Sequence, residues 1–150
     1  MPATNRPKLA LAGPGPPGRK THGRYAVFLD RDGVIIQDNP AHICRLEQVQ
    51  LLDGAAEAIR RLNDAGCLVV VVTNQSGVAR GFMTEADVRQ INEHIADLVA
   101  QRSGARIDRV YYCPMHPRGV LPEYARRSFF RKPQPGMLLQ AAHDLQLDLS

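Results

Sequence analysis

Short apolar runs alternate with amphipathic segments from residue 25 onwards. The runs at 25–29, 68–72 and 107–112 are continuous and rich in β-branched or aromatic residues, as in strands buried on both faces. Apolar residues at helical spacing follow each run, over about 53–65, 84–102 and 135–145. This alternation predicts an α/β fold, a Rossmann-like three-layer domain with a parallel sheet.

Residues at the ends of the helical segments predict where each helix begins and stops. Asp53 is a predicted N-cap for the first helix, and Gly66 is its predicted stop. Thr84 followed by Asp87 resembles an N-cap with an acid in the first turn of the second helix. Pro135 is expected to open the last helix, because proline suits the first helical turn.

The first 23 residues have a different composition from the rest of the chain. They hold five of the 11 prolines and four of the 12 glycines, and almost no residues that could form a core. Such a segment cannot bury enough apolar surface to offset its chain entropy. We therefore expect residues 1–23 to be a disordered basic tail and residues 24–150 to be the folded domain.

The net charge of +4 does not indicate a nucleic-acid-binding protein. Five of the 19 Lys and Arg residues lie in residues 1–24, where there is no acid, so the remaining 14 face all 15 acidic residues. A nucleic-acid-binding domain would itself be basic. The longest apolar run, at 65–72, is far shorter than the ~20 residues of a membrane-spanning helix. We expect no nucleic-acid partner, no membrane association, a cytoplasmic location, reduced cysteines and a monomer.

Polar clusters follow all three predicted strands. They are Asp30-Arg31-Asp32-Gly33, Thr73-Asn74-Gln75-Ser76-Gly77 and Cys113-Pro114-Met115-His116. Because ligands bind beyond the carboxyl ends of parallel strands, the three clusters are expected to converge on one site.

The Asp-x-Asp pair suits phosphoryl transfer assisted by a hard divalent cation. Two carboxylates leaving one strand end can flank a point where Mg²⁺ and a phosphate meet. One carboxylate can attack phosphorus to form an aspartyl-phosphate while the other gives a proton to the leaving oxygen. Thr73 offers a hydroxyl and backbone N–H groups to phosphate oxygens, and the pair Arg131 and Lys132 offers fixed positive charge.

Four motifs together resemble the haloacid dehalogenase superfamily. Within it they are similar to the D-glycero-D-manno-heptose 1,7-bisphosphate phosphatase and histidinol-phosphate phosphatase subfamilies, over roughly residues 25–150. The motifs are Asp30-Arg31-Asp32-Gly33-Val34, residues 70–81, Tyr111-Tyr112-Cys113-Pro114 and Arg131-Lys132-Pro133-x-Pro135-Gly136-Met137-Leu138-Leu139.

This resemblance implies a role for each matched residue. Asp30 would be the nucleophile and a Mg²⁺ ligand, and Asp32 would be the acid/base and bind Mg²⁺ through its backbone carbonyl. The implied substrate-binding residues are Arg31, Asp38, Thr73, Asn74, Gln75, Ser76, Arg131 and Lys132. The implied substrate is a small phosphorylated metabolite, with the 7-phosphate of the heptose bisphosphate first and histidinol phosphate as the alternative.

The zinc clip common in this family is incomplete in the chain. Cys113 stands at the first ligand position, but Met115, Ser128 and Phe130 stand at the other three, and His116 belongs to a neighbouring position. Structural zinc takes four N or S ligands, so we expect no zinc. Apolar packing by Phe129 and Phe130 is expected to hold the loop instead.

The family's fourth motif, a Gly-Asp pair that supplies a further Mg²⁺ carboxylate after the next strand, has no counterpart before Ser150. The resemblance therefore implies that the domain is incomplete at its C-terminus and lacks a strand beside the one that bears Asp30. An enzyme and a non-catalytic remnant that binds phosphate compounds both remain open at this point.

Overall fold

A computed structural model of the protein describes residues 9–10 and 25–149, with only the backbone described at Leu9 and Ala10. The strands are β1 (Leu9–Ala10), β2 (Ala26–Leu29), β3 (Leu68–Asn74) and β4 (Arg109–Cys113). The helices are α1 (Ala55–Asp64), α2 (Glu85–Ser103) and α3 (Gly136–Leu145), with a 3-10 turn at Leu46–Gln48. Apart from β1, the predicted disordered tail lies outside the described residues.

The described strands form one sheet in the order β1-β4-β3-β2. The three predicted strands are parallel, as expected, with Phe28 opposite Val70 and Val72 opposite Tyr111. Strand β1 pairs with β4 in the antiparallel direction, which the sequence did not suggest. The carboxyl ends of β2, β3 and β4 therefore meet at the same edge of the sheet.

Helices cover both faces of the sheet, which confirms the three-layer prediction. Val69 and Val71 of β3 pack with Ile59 of α1 and Ile95 of α2 on one face. On the opposite face Val70 and Val72 pack with the α3 residues Met137, Ala141 and Leu145. A strand buried on both faces needs apolar residues at successive positions, so β3 reads as a continuous valine run.

Most of the predicted helix ends agree with the structure, but the N-cap of α1 was wrong. Thr84 caps α2: its hydroxyl accepts from the Asp87 N–H, and the Asp87 carboxylate accepts from the Thr84 N–H at 2.7 Å. These bonds hold the pKa of Asp87 below its usual value. Helix α1 begins one residue later than predicted because Gly54, with φ of 79°, is the N-cap in place of Asp53.

Strand β3 extends two residues past the predicted end. Asn74 pairs with Cys113 of β4, so Thr73 and Asn74 belong to the sheet and not to the following loop. Their backbone is therefore held by pairing with β4. In the part of the chain from 25 to 149, no helix is long and apolar enough to cross a membrane.

Gly136 is expected to tolerate no side chain, although it lies in the first turn of α3. A Cβ there would stand 2.5 Å from the Phe129 carbonyl oxygen and 2.8 Å from a Phe130 ring carbon. Alanine normally stabilises a helical position by about 0.5–1 kcal/mol relative to glycine. Overpacking costs about 1–3 kcal/mol, and the nearest atoms here are backbone, so the clash should dominate. We expect Gly136→Ala to lower the melting temperature; an unchanged or higher value in calorimetry would show that the contact relaxes freely.

Candidate active site

One cavity of about 240 Å³ opens at the carboxyl ends of β2 and β3. The side chains at these ends come together because the strands are parallel neighbours. The cavity is lined by Asp30, Arg31, Asp32, Asp38, Asn39, His42, Ile43, Thr73, Asn74, Gln75, Ser76 and Lys132. Nine of the ten residues singled out in the sequence as candidate site residues thus line a single cavity, Arg131 being the exception.

Asp30 forms an ion pair with Lys132 in this cavity. The Lys132 ammonium nitrogen lies 2.7 Å from Asp30 Oδ2 and also donates to the Val72 carbonyl at 2.9 Å. Asp30 Oδ1 accepts from the Arg31 backbone N–H at 2.8 Å. The carboxylate is 43% exposed, so its orientation is set while it stays open to the cavity.

Asn74 anchors the backbone of Lys132. Its side-chain oxygen accepts from the Lys132 N–H at 3.0 Å, and its amide nitrogen donates to the Lys132 carbonyl at 3.2 Å. The amide of Asn74 is therefore engaged on both atoms by the protein. In this structure Asn74 supports the residue whose ammonium group faces Asp30, and the phosphate contact expected for Asn74 from sequence stays a prediction.

Asp32 and Gln75 belong to a hydrogen-bonded group in the wall of the cavity. The Gln75 amide nitrogen donates to Asp32 Oδ2 at 2.8 Å and to the Thr73 hydroxyl at 2.9 Å. Arg31 donates to Asp32 Oδ1 at 3.0 Å, and it is only 2% exposed. Its guanidinium donors are directed at protein acceptors in this structure, and the substrate contact expected for Arg31 from sequence stays a prediction.

The segment after the Asp-x-Asp motif adds residues to the cavity that the sequence did not single out. Asp38 was expected there, whereas His42 and Ile43 were not. His42 has a φ of 66°, unusual for a residue with a side chain, and its ring lies 5.5 Å from the Phe82 ring. No sequence pattern indicates such a turn, so His42 was not detectable beforehand.

The third polar cluster does not reach the cavity, which corrects the expected convergence. Cys113, Met115 and His116 are absent from its lining. Arg131 instead lines a neighbouring groove of about 410 Å³ with Arg127 and Phe129, and Lys132 lines both spaces. The reason is topological: β4 lies on the far side of β3 from β2, so its loop ends beside the cavity.

The loop after β4 is fastened to α2 by a buried acid. Glu85 accepts hydrogen bonds of 2.8 Å from the hydroxyl groups of both Tyr112 and Tyr124. Burial and the bond to Glu85 raise the pKa of Tyr124 to about 12, so that hydroxyl stays a donor at neutral pH. This contact restrains the loop that leads to Arg131.

The same loop concentrates positive charge. Burial lowers the pKa of His116, and the nearby guanidinium groups of Arg131, Arg80 and Arg118 lower it further. His116 Nδ1 accepts from the Arg118 N–H at 3.0 Å, which requires that nitrogen to be unprotonated. Among the described residues, none of these three arginines forms a salt bridge. Arg131 is the one of the three that lines the groove, where Arg127 and Lys132 add further positive charge.

The lowered pKa of His116 predicts a specific loss of stability in mild acid. A histidine that is neutral when folded but takes up a proton when unfolded destabilises the fold as pH falls below its unfolded pKa of about 6.5. We expect His116→Asn to reduce the fall in melting temperature between pH 8 and 5.5. His143→Asn, at a site 86% exposed, is the control. An equal fall in wild type and His116→Asn would contradict the assignment.

The residues at the zinc-clip positions pack as part of the protein core. Met115 and Phe130 contact the apolar cluster beneath α3, and burial raises the pKa of the Cys113 thiol. Over residues 25–149, no group of three or more His, Cys, Asp or Glu is arranged to hold a metal. That zinc is not bound remains a prediction. Metal analysis after dialysis against a weak chelator should find no stoichiometric zinc, and about one zinc ion per chain would overturn it.

The donors in the cavity fit magnesium better than a metal enclosed by protein ligands. Asp30 supplies a carboxylate to the cavity, and the family resemblance implies the Asp32 backbone carbonyl as a second donor; both are hard oxygen donors. Mg²⁺ in phosphate-handling sites is held by one or two carboxylates together with phosphate oxygens and water. The donor set is therefore suited to Mg²⁺ bound together with a phosphate.

Comparison with known proteins places this chain in a family. A family model described as "Haloacid dehalogenase-like hydrolase" matches residues 27–105. The chain is 47% identical over 130 residues to a D-glycero-D-manno-heptose-1,7-bisphosphate 7-phosphatase of Thermosynechococcus vestitus, covering 85% of this chain and 66% of that protein. The chain spans 60–66% of the length of the first three curated relatives that it matches.

Two solved structures have the same fold. One is a putative haloacid-dehalogenase-like phosphatase from Mesorhizobium loti, with a TM-score of 0.80 and 36% identity over 95% of this chain and 70% of that one. The other is a D,D-heptose 1,7-bisphosphate phosphatase from B. bronchiseptica complexed with magnesium and phosphate, with a TM-score of 0.73 and 35% identity over 84% of this chain and 66% of that one. The sequence and fold comparisons agree, and the chain belongs to the haloacid dehalogenase-like hydrolases.

Proposed function

We propose that the protein is a Mg²⁺-dependent phosphatase that forms an aspartyl-phosphate at Asp30. The observation that carries this proposal is the ion pair of Asp30 with Lys132 beside Asp32 in one open cavity. The oriented carboxylate is 43% exposed and so can be approached by a phosphate, while the ammonium group neutralises the charge that the phosphate brings. The solved relative that contains magnesium and phosphate supports the same chemistry.

In the first step an Asp30 oxygen attacks phosphorus and the bond to the leaving oxygen breaks. A proton from the Asp32 carboxyl goes to that oxygen, and the dephosphorylated alcohol departs. In the second step a water attacks phosphorus, Asp32 takes its proton, and the bond to Asp30 breaks to release inorganic phosphate. Lys132, the Thr73 hydroxyl and Ser76 would contact the phosphate oxygens.

Magnesium would be held by the Asp30 carboxylate and the Asp32 backbone carbonyl. When bound, it would neutralise negative charge shared by the phosphate and the carboxylates. Activity should accordingly disappear with EDTA and return with added Mg²⁺.

A substrate with two anionic groups is favoured by the neighbouring groove. Lys132 lines both the cavity and the groove that contains Arg127 and Arg131. A sugar bisphosphate can place one phosphate at Asp30 and direct the other towards these cations. For this reason we propose the 7-phosphate of D-glycero-D-manno-heptose 1,7-bisphosphate as the group removed, ahead of histidinol phosphate, which carries only one phosphate.

The test is phosphate release from both compounds at saturating Mg²⁺, with ³¹P NMR to identify which heptose phosphate is lost. Faster release from the 7-position of the bisphosphate supports the proposal, and preference for histidinol phosphate supports the alternative. Phosphate and Mg²⁺ binding without turnover on either compound would favour a non-catalytic protein. That last outcome is a real alternative because, among residues 25 to 149, no three or more His, Cys, Asp or Glu side chains are grouped so that they could hold a metal ion.

A further inference from the structure

Arg31 lies between the two acids of the motif but points away from solvent. It is 2% exposed and is the largest of the fully buried side chains in the described chain. A buried guanidinium must have its donors satisfied, since an unpaired charge in the interior is strongly destabilising. Its hydrogen-bond partners therefore show what it does.

All three guanidinium nitrogens donate to protein side chains. Nε lies 3.2 Å from Asp32 Oδ2, and Nη2 lies 3.0 Å from Asp32 Oδ1, so Arg31 binds both oxygens of the carboxylate in a bidentate arrangement. Nη2 also donates to Gln75 Oε1 at 3.0 Å, and Nη1 donates to Asn92 Oδ1 at 3.0 Å.

Gln75 closes this arrangement into a ring. Its oxygen accepts from Arg31 while its nitrogen donates to Asp32 Oδ2 at 2.8 Å. Because the amide is fixed on both atoms, its second contact, to the Thr73 hydroxyl at 2.9 Å, is directed as well. The acid/base and a proposed phosphate contact are thus oriented by the same buried group.

Asn92 connects the ring to the core of the fold. It is 2% exposed, lies within α2 and does not line the cavity. The planar guanidinium presents its donors in fixed directions, so an acceptor on a rigid helix restricts the orientation of the whole guanidinium group. Asn92 and Arg31 are 61 residues apart, and only the fold brings them into contact.

We infer that Arg31 is a positioning residue that sets the orientation of the Asp32 carboxylate, with Asn92 as its support on α2. This rests on the proposed function, since it gives Arg31 its role through the acid/base of that reaction. It replaces the direct substrate contact expected from sequence. Reaching a ligand would require Arg31 to leave acceptors on three buried or half-buried side chains.

The first test is a double-mutant cycle with Arg31→Met and Asp32→Asn, read as kcat and KM separately. Misplacing a catalytic group costs on the order of 10- to 100-fold, and Arg31→Met should lower kcat by that amount with KM within about twofold of wild type. In the Asp32→Asn background the same change should have less than about a twofold effect, because the group it orients is no longer active.

Asn92 provides a second pair of variants that carries the test if Arg31→Met does not fold. Asn92→Leu removes the acceptor for Nη1 and should lower kcat with KM unchanged. Asn92→Asp keeps an oxygen there and should restore most of the lost rate. Equal activity in the two Asn92 variants would overturn the supporting role of this residue.

The outcomes separate this inference from the proposed function. A rise in KM and weaker binding of inorganic phosphate in Arg31→Met, or an equal loss in both backgrounds, would overturn the positioning role while leaving the phosphatase intact. If the wild-type chain shows no turnover, the proposed function fails, and crystal structures of Arg31→Met and Asn92→Leu decide the inference. A changed Asp32 rotamer supports it, and an unchanged rotamer refutes it.

Discussion

Replacing Asp30 with asparagine is expected to reduce phosphate release to background. The amide is neutral and cannot attack phosphorus, so the covalent intermediate cannot form. The same change removes the carboxylate charge that pairs with Lys132 Nζ at 2.7 Å and the proposed magnesium ligand. Three contributions are lost together, so this should be the largest effect of any single substitution in the cavity.

The measurement is phosphate release at saturating Mg²⁺ over several substrate concentrations. Asp97→Asn is a matched control, because Asp97 is exposed on α2 and does not line the cavity. Its activity should equal that of wild type. Turnover that survives Asp30→Asn at more than background would refute the nucleophile assignment.

Replacing Asp32 with asparagine is expected to lower kcat by about 10²–10⁴-fold, the usual contribution of a general acid or base. Asparagine keeps the backbone carbonyl and can still accept from Arg31, so Mg²⁺ and phosphate should bind nearly as in wild type. The loss should depend on the leaving group. An aryl phosphate, whose leaving oxygen departs without a proton, should lose less in the first step than a sugar phosphate.

Single-turnover kinetics with p-nitrophenyl phosphate and with the heptose bisphosphate provide this comparison. Calorimetric titration of phosphate in the presence of Mg²⁺ tests whether binding is retained. An equal loss for both leaving groups in the first step, or loss of phosphate binding, would show that Asp32 does not act as the acid.

Local patterns were enough to predict most of the fold. The valine run of β3 indicated a strand buried on both faces, and Thr84 with Asp87 indicated the start of α2. These signals depend on neighbours within a few residues, so they can be read without the rest of the molecule. The predicted N-cap of α1 was wrong. Asp53 is a residue type that often caps helices, but the chain turns at Gly54, which has a φ of 79°.

The candidate site was predictable where it follows from strand order. Asp30 and Asp32 follow β2, and Thr73 lies in the last two residues of β3, so parallel pairing alone brings them to one cavity. The prediction that Cys113 and His116 contribute to the cavity was wrong, because β4 lies one strand further from β2 than β3 does. His42 was missed because its left-handed backbone and its contact with Phe82 arise from loop packing.

The sequence by itself determined the chemistry that this protein carries: two acids at one strand end, a hydroxyl at the next and a cation before the last helix. These residues are recognisable because their types and spacing are local. Only the tertiary structure decided how they are used. It turns Arg31 inward onto Asp32, Gln75 and Asn92, and it engages the Asn74 amide on the backbone of Lys132. Hydrogen-bond geometry and burial depend on partners 43 to 61 residues away, and folding alone brings such partners within reach.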